Sequence, residues 1–118
     1  TAAVELLMDD ETEAMPLPPM EEGDPAHAMV YWHPTRDMAM LYAEQSPPLP
    51  TDRGYQLWLI RGEERMDGGY FTVDEAGEGV LMIHLPAPLK SFDALGITPE
   101  PMGGSPGPTS PPVVRGTL

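Results

Sequence analysis

Sixteen prolines and 12 glycines fall among 118 residues, and they are spread along the whole chain. Proline removes a backbone donor and breaks helix interiors, and glycine weakens helices by about 1 kcal/mol per residue. Helices must therefore be few and short, which excludes a helical bundle. With 41% hydrophobic residues the chain still has the material for a core. Its length suits one domain and is too little for two. A β-rich domain follows as the first expectation.

The apolar segments are short and bounded by turn formers. Residues 4–8 read as a first strand, followed by an acidic, proline-punctuated stretch to Pro25. Residues 28–33 and 38–43 flank Pro34-Thr35-Arg36-Asp37, a hairpin turn. Residues 46–53, with Pro47, Pro48 and Pro50, read as an extended loop. Residues 55–60 form the strongest strand, 61–67 a polar connection and 69–73 a short strand. Asp74-Glu75-Ala76-Gly77 turns into a strand over 80–85. Residues 92–98 and 113–118 supply the last strands. Short strands at this spacing predict an all-β, two-layer antiparallel sandwich of immunoglobulin-like size, with a Pro/Gly-rich C-terminal segment. Residues 1–25 read as an acidic leader that can carry one edge strand, and 26–118 as the sandwich.

In residues 55–60 both alternating faces are apolar, apart from Gln56. A half-exposed strand alternates, so this one should be central and covered on both sides. The acidic N-terminal stretch is the nearest cover within the chain, and a partner chain is the other. The tail from Glu100 to Thr109 is too rich in Pro and Gly for a helix or central strand. It reads as a rigid corner followed by polyproline-like chain. Gly103 and Gly104 permit positive φ and could form a nest of amides whose occupant would be the Glu100 carboxylate.

Charge excludes some functions. Nineteen acidic residues against 6 basic ones give a net charge of −13. Nucleic-acid binding needs a basic footprint, and anionic membrane surfaces repel such a chain. Without cysteine there is no disulfide, thiolate nucleophile or blue-copper site. No run of 18 apolar residues and no signal-peptide pattern occurs. Gly103-Gly104-Ser105-Pro106-Gly107 formally matches G-x-S-x-G, but that elbow uses the N–H after the nucleophile, and Pro106 has none. His27, His33 and His84 lack a ligand spacing on one element. Met29, Met38 and Met40 could serve a Cu(I) site, although Met is a common gap-filler in cores. The acidic runs at 9–13 and 21–24 lack the spacing of a calcium loop. Trp32, Trp58, Tyr55 and Phe71 read as sandwich core more readily than as a ligand groove. No cofactor or metal is assigned, and no catalysis is expected.

An ordered series of motifs is more specific. Tyr55-Gln56-Leu57-Trp58-Leu59-Ile60 is followed by Gly69-Tyr70-Phe71 and the turn at Asp74–Gly77. Then come Ile97-Thr98-Pro99-Glu100-Pro101-Met102-Gly103-Gly104-Ser105-Pro106 and Pro108-Thr109. With Tyr31-Trp32 and Leu41-Tyr42 upstream, residues 28–118 resemble the C-terminal domain of the anti-sigma-K factor (RskA-type) family. Pro99 stands where that family usually has an aliphatic residue. The motif positions Tyr55, Gln56, Leu57, Trp58, Gly69, Phe71, Glu100, Pro101, Gly103, Gly104, Ser105, Pro108 and Thr109 read as structural.

The resemblance implies an extracytoplasmic regulatory domain of a single-pass, membrane-anchored anti-sigma factor. Its membrane helix would lie immediately before Thr1. Its partner, an extracytoplasmic-function sigma factor, would bind a cytoplasmic domain outside this sequence, and a regulatory protease would release it. Alternatives are an exported ligand- or metal-binding sandwich, or a protein-interaction module that could form homo-oligomers through a sheet face.

Overall fold

The computed structural model describes residues 2–118; Thr1, just after the expected membrane helix, lies outside them. A short helix α1 (Ala2–Met8) leads into eight strands: β1 (Glu13–Leu17), β2 (His27–Trp32), β3 (Met38–Glu44), β4 (Arg53–Arg61), β5 (Glu64–Phe71), β6 (Gly79–His84), β7 (Ala94–Pro101) and β8 (Val114–Thr117). They form two antiparallel sheets, in the orders β1-β2-β3-β6 and β5-β4-β7-β8. This is the all-β sandwich that the strand spacing predicts. Between the sheets lie Leu17, Val30, Trp32, Leu41, Tyr55, Leu57, Leu59, Phe71, Ile83, Leu95, Ile97 and Val114, all buried.

β4 is central, as its two-faced apolarity requires: β5 flanks it on one side and β7 on the other. Its odd positions Tyr55, Leu57 and Leu59 enter the inter-sheet core. Its even positions Gln56, Trp58 and Ile60 face outward and are nonetheless buried. Their cover is the C-terminal Pro/Gly segment, through Ser105, Pro108 and Pro112. The acidic leader, the expected cover, does not lie there. It runs along the opposite sheet and the edge of β8.

Other boundaries also differ from expectation. Residues 4–8 are helical, because a five-residue apolar run fits either state and Ala2, Ala3, Glu5, Leu6 and Leu7 are strong helix formers. The polar stretch 61–67 is mostly strand, since β5 begins at Glu64. Its residues look like a loop because an edge strand keeps one face in water. β5 ends at Phe71, short of Val73, and β7 begins at Ala94, after a 3-10 turn over Leu89–Ser91. β7 then continues through Glu100 to Pro101, into the stretch expected to be a corner.

The two prolines in β7 have a positional explanation. The Ile97 carbonyl accepts from Val113 N–H on the β8 side, so positions 97, 99 and 101 direct their backbone polar groups away from β4. β8 pairs only with residues 94–97. Pro99 and Pro101 therefore omit N–H groups that face no partner strand. Pro16 is tolerated on the same ground, in the edge strand β1.

The N-terminal stretch joins both sheets. β1 pairs with β2 along its whole length. Beyond it, Arg115 N–H donates to the Pro18 carbonyl at 3.0 Å and Met20 N–H to the Val113 carbonyl at 3.1 Å. Residues 13–20 thus close the sandwich along one side, with Leu17 wholly buried between the layers.

Candidate functional site

On the outer face of the β5-β4-β7-β8 sheet, strand alternation sets Gln56 and Trp58 of β4 beside Thr98 and Glu100 of β7. These polar positions would be ordinary on a solvated face. Here the chain folds back over them, and each finds a partner. A β-turn over Pro101–Gly104 closes with Gly104 N–H donating to the Pro101 carbonyl at 2.9 Å. Gly103 at φ +83° and Gly104 at φ +94° adopt left-handed backbone that L side chains rarely reach. The turn aims Ser105 at Gln56. Ser105 N–H donates to Gln56 Oε1 at 2.8 Å, and Gln56 Nε2 donates to the Ser105 carbonyl at 3.1 Å. One side-chain amide thereby gives the incoming segment the donor–acceptor pair that a neighbouring strand would supply.

A second chain of bonds starts at Trp58. Its indole Nε1–H donates to Thr98 Oγ1 at 2.8 Å, and that hydroxyl donates to Glu100 Oε2 at 2.6 Å. Thr109 completes the carboxylate's shell, with its N–H on Oε2 at 3.1 Å and its hydroxyl on Oε1 at 2.6 Å. Glu100 is wholly shielded from solvent. Burial pushes its carboxyl pKa up; the hydrogen bonds from Thr109 and Thr98, with a contribution from Ser105, outweigh this and leave it below its usual value of 4.5. The group is an ionised acceptor that pins the tail to the sheet.

The nest expected at Gly103-Gly104 thus has a different occupant. The Ser105 amide after the two glycines binds the Gln56 side chain, and Glu100 is held by threonines instead. Thr98 is the member of the network that lay in the motif without being singled out. Its hydroxyl links two strands, a role visible only once β4 and β7 are in register. Beside the network lies a cleft of about 110 Å³, lined by Trp58, Ile60, Thr98, Pro108 and Pro112 among others. Ligand pockets usually offer about 300–1,000 Å³, so the cleft suits packing better than a small molecule.

The remaining motif residues hold the frame. Tyr55 stacks on Phe71 with ring centroids 5.8 Å apart, and its hydroxyl donates to the Pro47 carbonyl at 2.5 Å. Leu57 faces Gly69 where β5 carries a bulge opposite Leu57/Trp58. Gly69, at φ +126°, has the Leu81 side chain only 2.9 Å from where a Cβ would sit. Pro101 begins the tail's turn and Pro108 lines the cleft.

Gly104→Ala tests whether the turn governs the tail. A Cβ would lie 2.9 Å from Gln56 Oε1, on backbone at positive φ. We expect a loss of about 1–3 kcal/mol, read as a lower Tm. An unchanged Tm would show that the Gln56–Ser105 pairing carries little stability.

A smaller cluster joins the N-terminal stretch to the β2–β3 turn. His33 Nε2 lies 3.2 Å from Glu11 Oε2 and 3.5 Å from Asp9 Oδ2, and Arg36 reaches the same Asp9 oxygen at 3.1 Å. Thr35 N–H donates to His33 Nδ1 at 3.1 Å, which places the neutral ring's proton on Nε2, facing the carboxylates. Asp9, Glu11 and His33 have the spacing of metal ligands. A metal on Nε2 would move that proton to Nδ1, against the Thr35 N–H, and would meet the Arg36 guanidinium. The arrangement acts as a clasp between residues 9–11 and the turn.

The family model described as "Anti-sigma-K factor rskA, C-terminal" matches residues 1–113. It takes in the N-terminal helix and β1, which the motif resemblance over 28–118 did not reach. A Streptomyces griseus protein described as "Uncharacterized protein in phr 5'region" is 32% identical over 88 residues, covering 75% of this chain and 36% of that protein. The chain therefore spans about a third of that relative's length. No solved structure matches. Among the described residues no helix is long and apolar enough to cross a membrane. From the motif network and the family match together, the chain belongs to the family of anti-sigma-K factor (RskA-type) C-terminal domains.

Proposed function

We propose that this domain is the extracytoplasmic regulatory part of a single-pass, membrane-anchored anti-sigma factor, controlling an extracytoplasmic-function sigma factor through regulated proteolysis. Sigma-factor binding would belong to a cytoplasmic domain of the same protein. The domain itself would act without catalysis; Ser105 supports this, because its backbone is committed to Gln56 and Pro106 offers no oxyanion donor.

One observation carries the reading. The N-terminal stretch, which would lead to the membrane, is not a free linker. β1 is paired with β2, residues 18–20 bond to β8, and the Asp9–Glu11–His33–Arg36 clasp holds what precedes them. A protease needs an extended, unpaired segment in its cleft, so the folded domain would mask the membrane-proximal substrate. Whatever loosens the domain would expose it.

Limited proteolysis followed by mass spectrometry tests this. The first cuts are expected within residues 9–25, under conditions where β4 and β7 remain whole. Primary cuts inside the core strands, with 9–25 untouched, would overturn the masking mechanism. The membrane arm of the proposal requires an apolar span of about 20 residues upstream in the full-length protein.

A further inference from the structure

The outward face of the β1-β2-β3-β6 sheet carries an arrangement that the regulatory reading does not use. Ala39, Leu41 and Ala43 of β3 enter the inter-sheet core, so alternation directs Met38 and Met40 to the other face. On β6, Ile83 enters the core and Met82 and His84 face outward with them. The antiparallel register sets Met38 opposite His84 and Met40 opposite Met82. Four donor residues therefore occupy a two-by-two block. Directly opposed Cβ atoms lie about 4.5–5.5 Å apart, and alternate residues on one strand about 6.7 Å. Thioether sulfur and imidazole nitrogen extend beyond Cβ far enough to converge on one ion above the block's centre.

We propose that Met38, Met40, Met82 and His84 form a binding site for a soft monovalent cation, Cu(I) or its redox-inert analogue Ag(I). Three thioethers and an imidazole favour soft ions over calcium or magnesium; the nearby Glu5 and Asp37 carboxylates line a cleft with Met38 at the block's edge and share it with Arg36. Burial is graded in a suitable way. Met40 is only 5% exposed although it faces away from the main core, whereas Met82 is 37% exposed. One sulfur would be shielded from water while the other side of the block stays open to entry. Among the described residues the His84 side chain has no hydrogen-bond or ion-pair partner, so ligation breaks neither. A solvated sheet face normally carries polar residues at such positions, which makes paired thioethers a departure from the usual pattern. Met29, named from the sequence beside Met38 and Met40, falls opposite Tyr42 and outside the block.

Ag(I) titration of the intact domain, followed by the methionine ε-methyl resonances, tests the proposal. One equivalent should shift the methyls of Met38, Met40 and Met82 and leave those of Met8, Met20 and Met102 in place. Competition against a chromogenic Cu(I) chelator should show affinity falling about 100-fold or more in M38L/M40L/M82L, with a loss of at least about tenfold in H84Q. Met→Leu nearly conserves volume, and His84 is exposed, so both variants should stay folded. Shifts confined to Met8, Met20 or Met102, or an affinity unchanged in both variants, would overturn the site. So would a wild-type domain that takes no Ag(I) from solution.

Discussion

Glu100→Gln is expected to destabilise the domain by about 2–4 kcal/mol at pH 7, although the side chain changes by one atom. The carboxylate accepts from the Thr98 hydroxyl and from both the N–H and the hydroxyl of Thr109. Glutamine offers one acceptor oxygen and replaces the other with an NH2 that would face donors. In a site shielded from solvent, those donors keep their desolvation penalty and lose their partner. The disturbance should spread along Trp58–Thr98 and loosen the tail that covers β4. Urea unfolding of the two proteins gives the difference directly. A variant within about 0.5 kcal/mol of wild type would mean that threonine hydroxyls rotate to water and that the network is incidental.

The same comparison has a pH signature. The folded-state pKa of Glu100 lies below its usual value of 4.5, so the folded protein binds this proton less readily than the unfolded chain does. Its contribution is complete above the unfolded-state value and is lost as pH falls through the folded-state value. Stability measured from pH 7 downward should therefore show the gap between wild type and Glu100→Gln holding constant to about pH 5, then narrowing. The other carboxylates titrate in both proteins and cancel in the difference. A gap that persists unchanged to pH 2 would assign the loss to packing.

How far these features could be read from sequence depends on what each residue advertises. Tyr55 to Ile60 announced a central strand because two apolar faces cannot both meet water. The same residues could not say what covers the second face. That answer rests on contacts about 49 residues away in sequence, between Gln56 and Ser105. Glycine at 103 and 104 signalled an unusual turn, and the turn exists; its target was misread because Glu100 is near in sequence while Gln56 is near in space. Polar strands hide for a different reason. Glu64 to Asp67 belong to β5 but expose one face, so their composition is that of a loop. Residues 4–8 are too few to distinguish a period of 2 from 3.6, and only Leu6 of α1 is buried. The leader's sequence leaves room for one edge strand, at residues 4–8, but the strand is β1, where Leu17 and the register with β2 tie it into the sandwich. Acidic composition describes its exposed side chains and says little about its backbone pairing.

Leu17→Ala should accelerate proteolysis within residues 9–25 by about 30-fold or more while leaving the core strands resistant. Leu17 ends β1, is wholly buried, and lies over β8, with Cδ2 2.6 Å from where a Cβ on Gly116 would sit. Truncating a buried leucine removes about 2–5 kcal/mol. β1 is an edge strand with a full partner only on the β2 side, so much of that loss should lower the free energy of releasing the N-terminal stretch alone. Each 1.4 kcal/mol multiplies the released population by about ten, and cleavage tracks that population when opening is fast. Leu95→Ala is the control, because Leu95 is equally buried but sits in β7, inside the four-stranded sheet. Its loss should appear mainly as global unfolding, with cuts distributed over the core. If the two variants gave the same cleavage map, the N-terminal stretch would open only with the whole domain. Under the proposed function, exposing that stretch to a protease would then require unfolding the sandwich entirely.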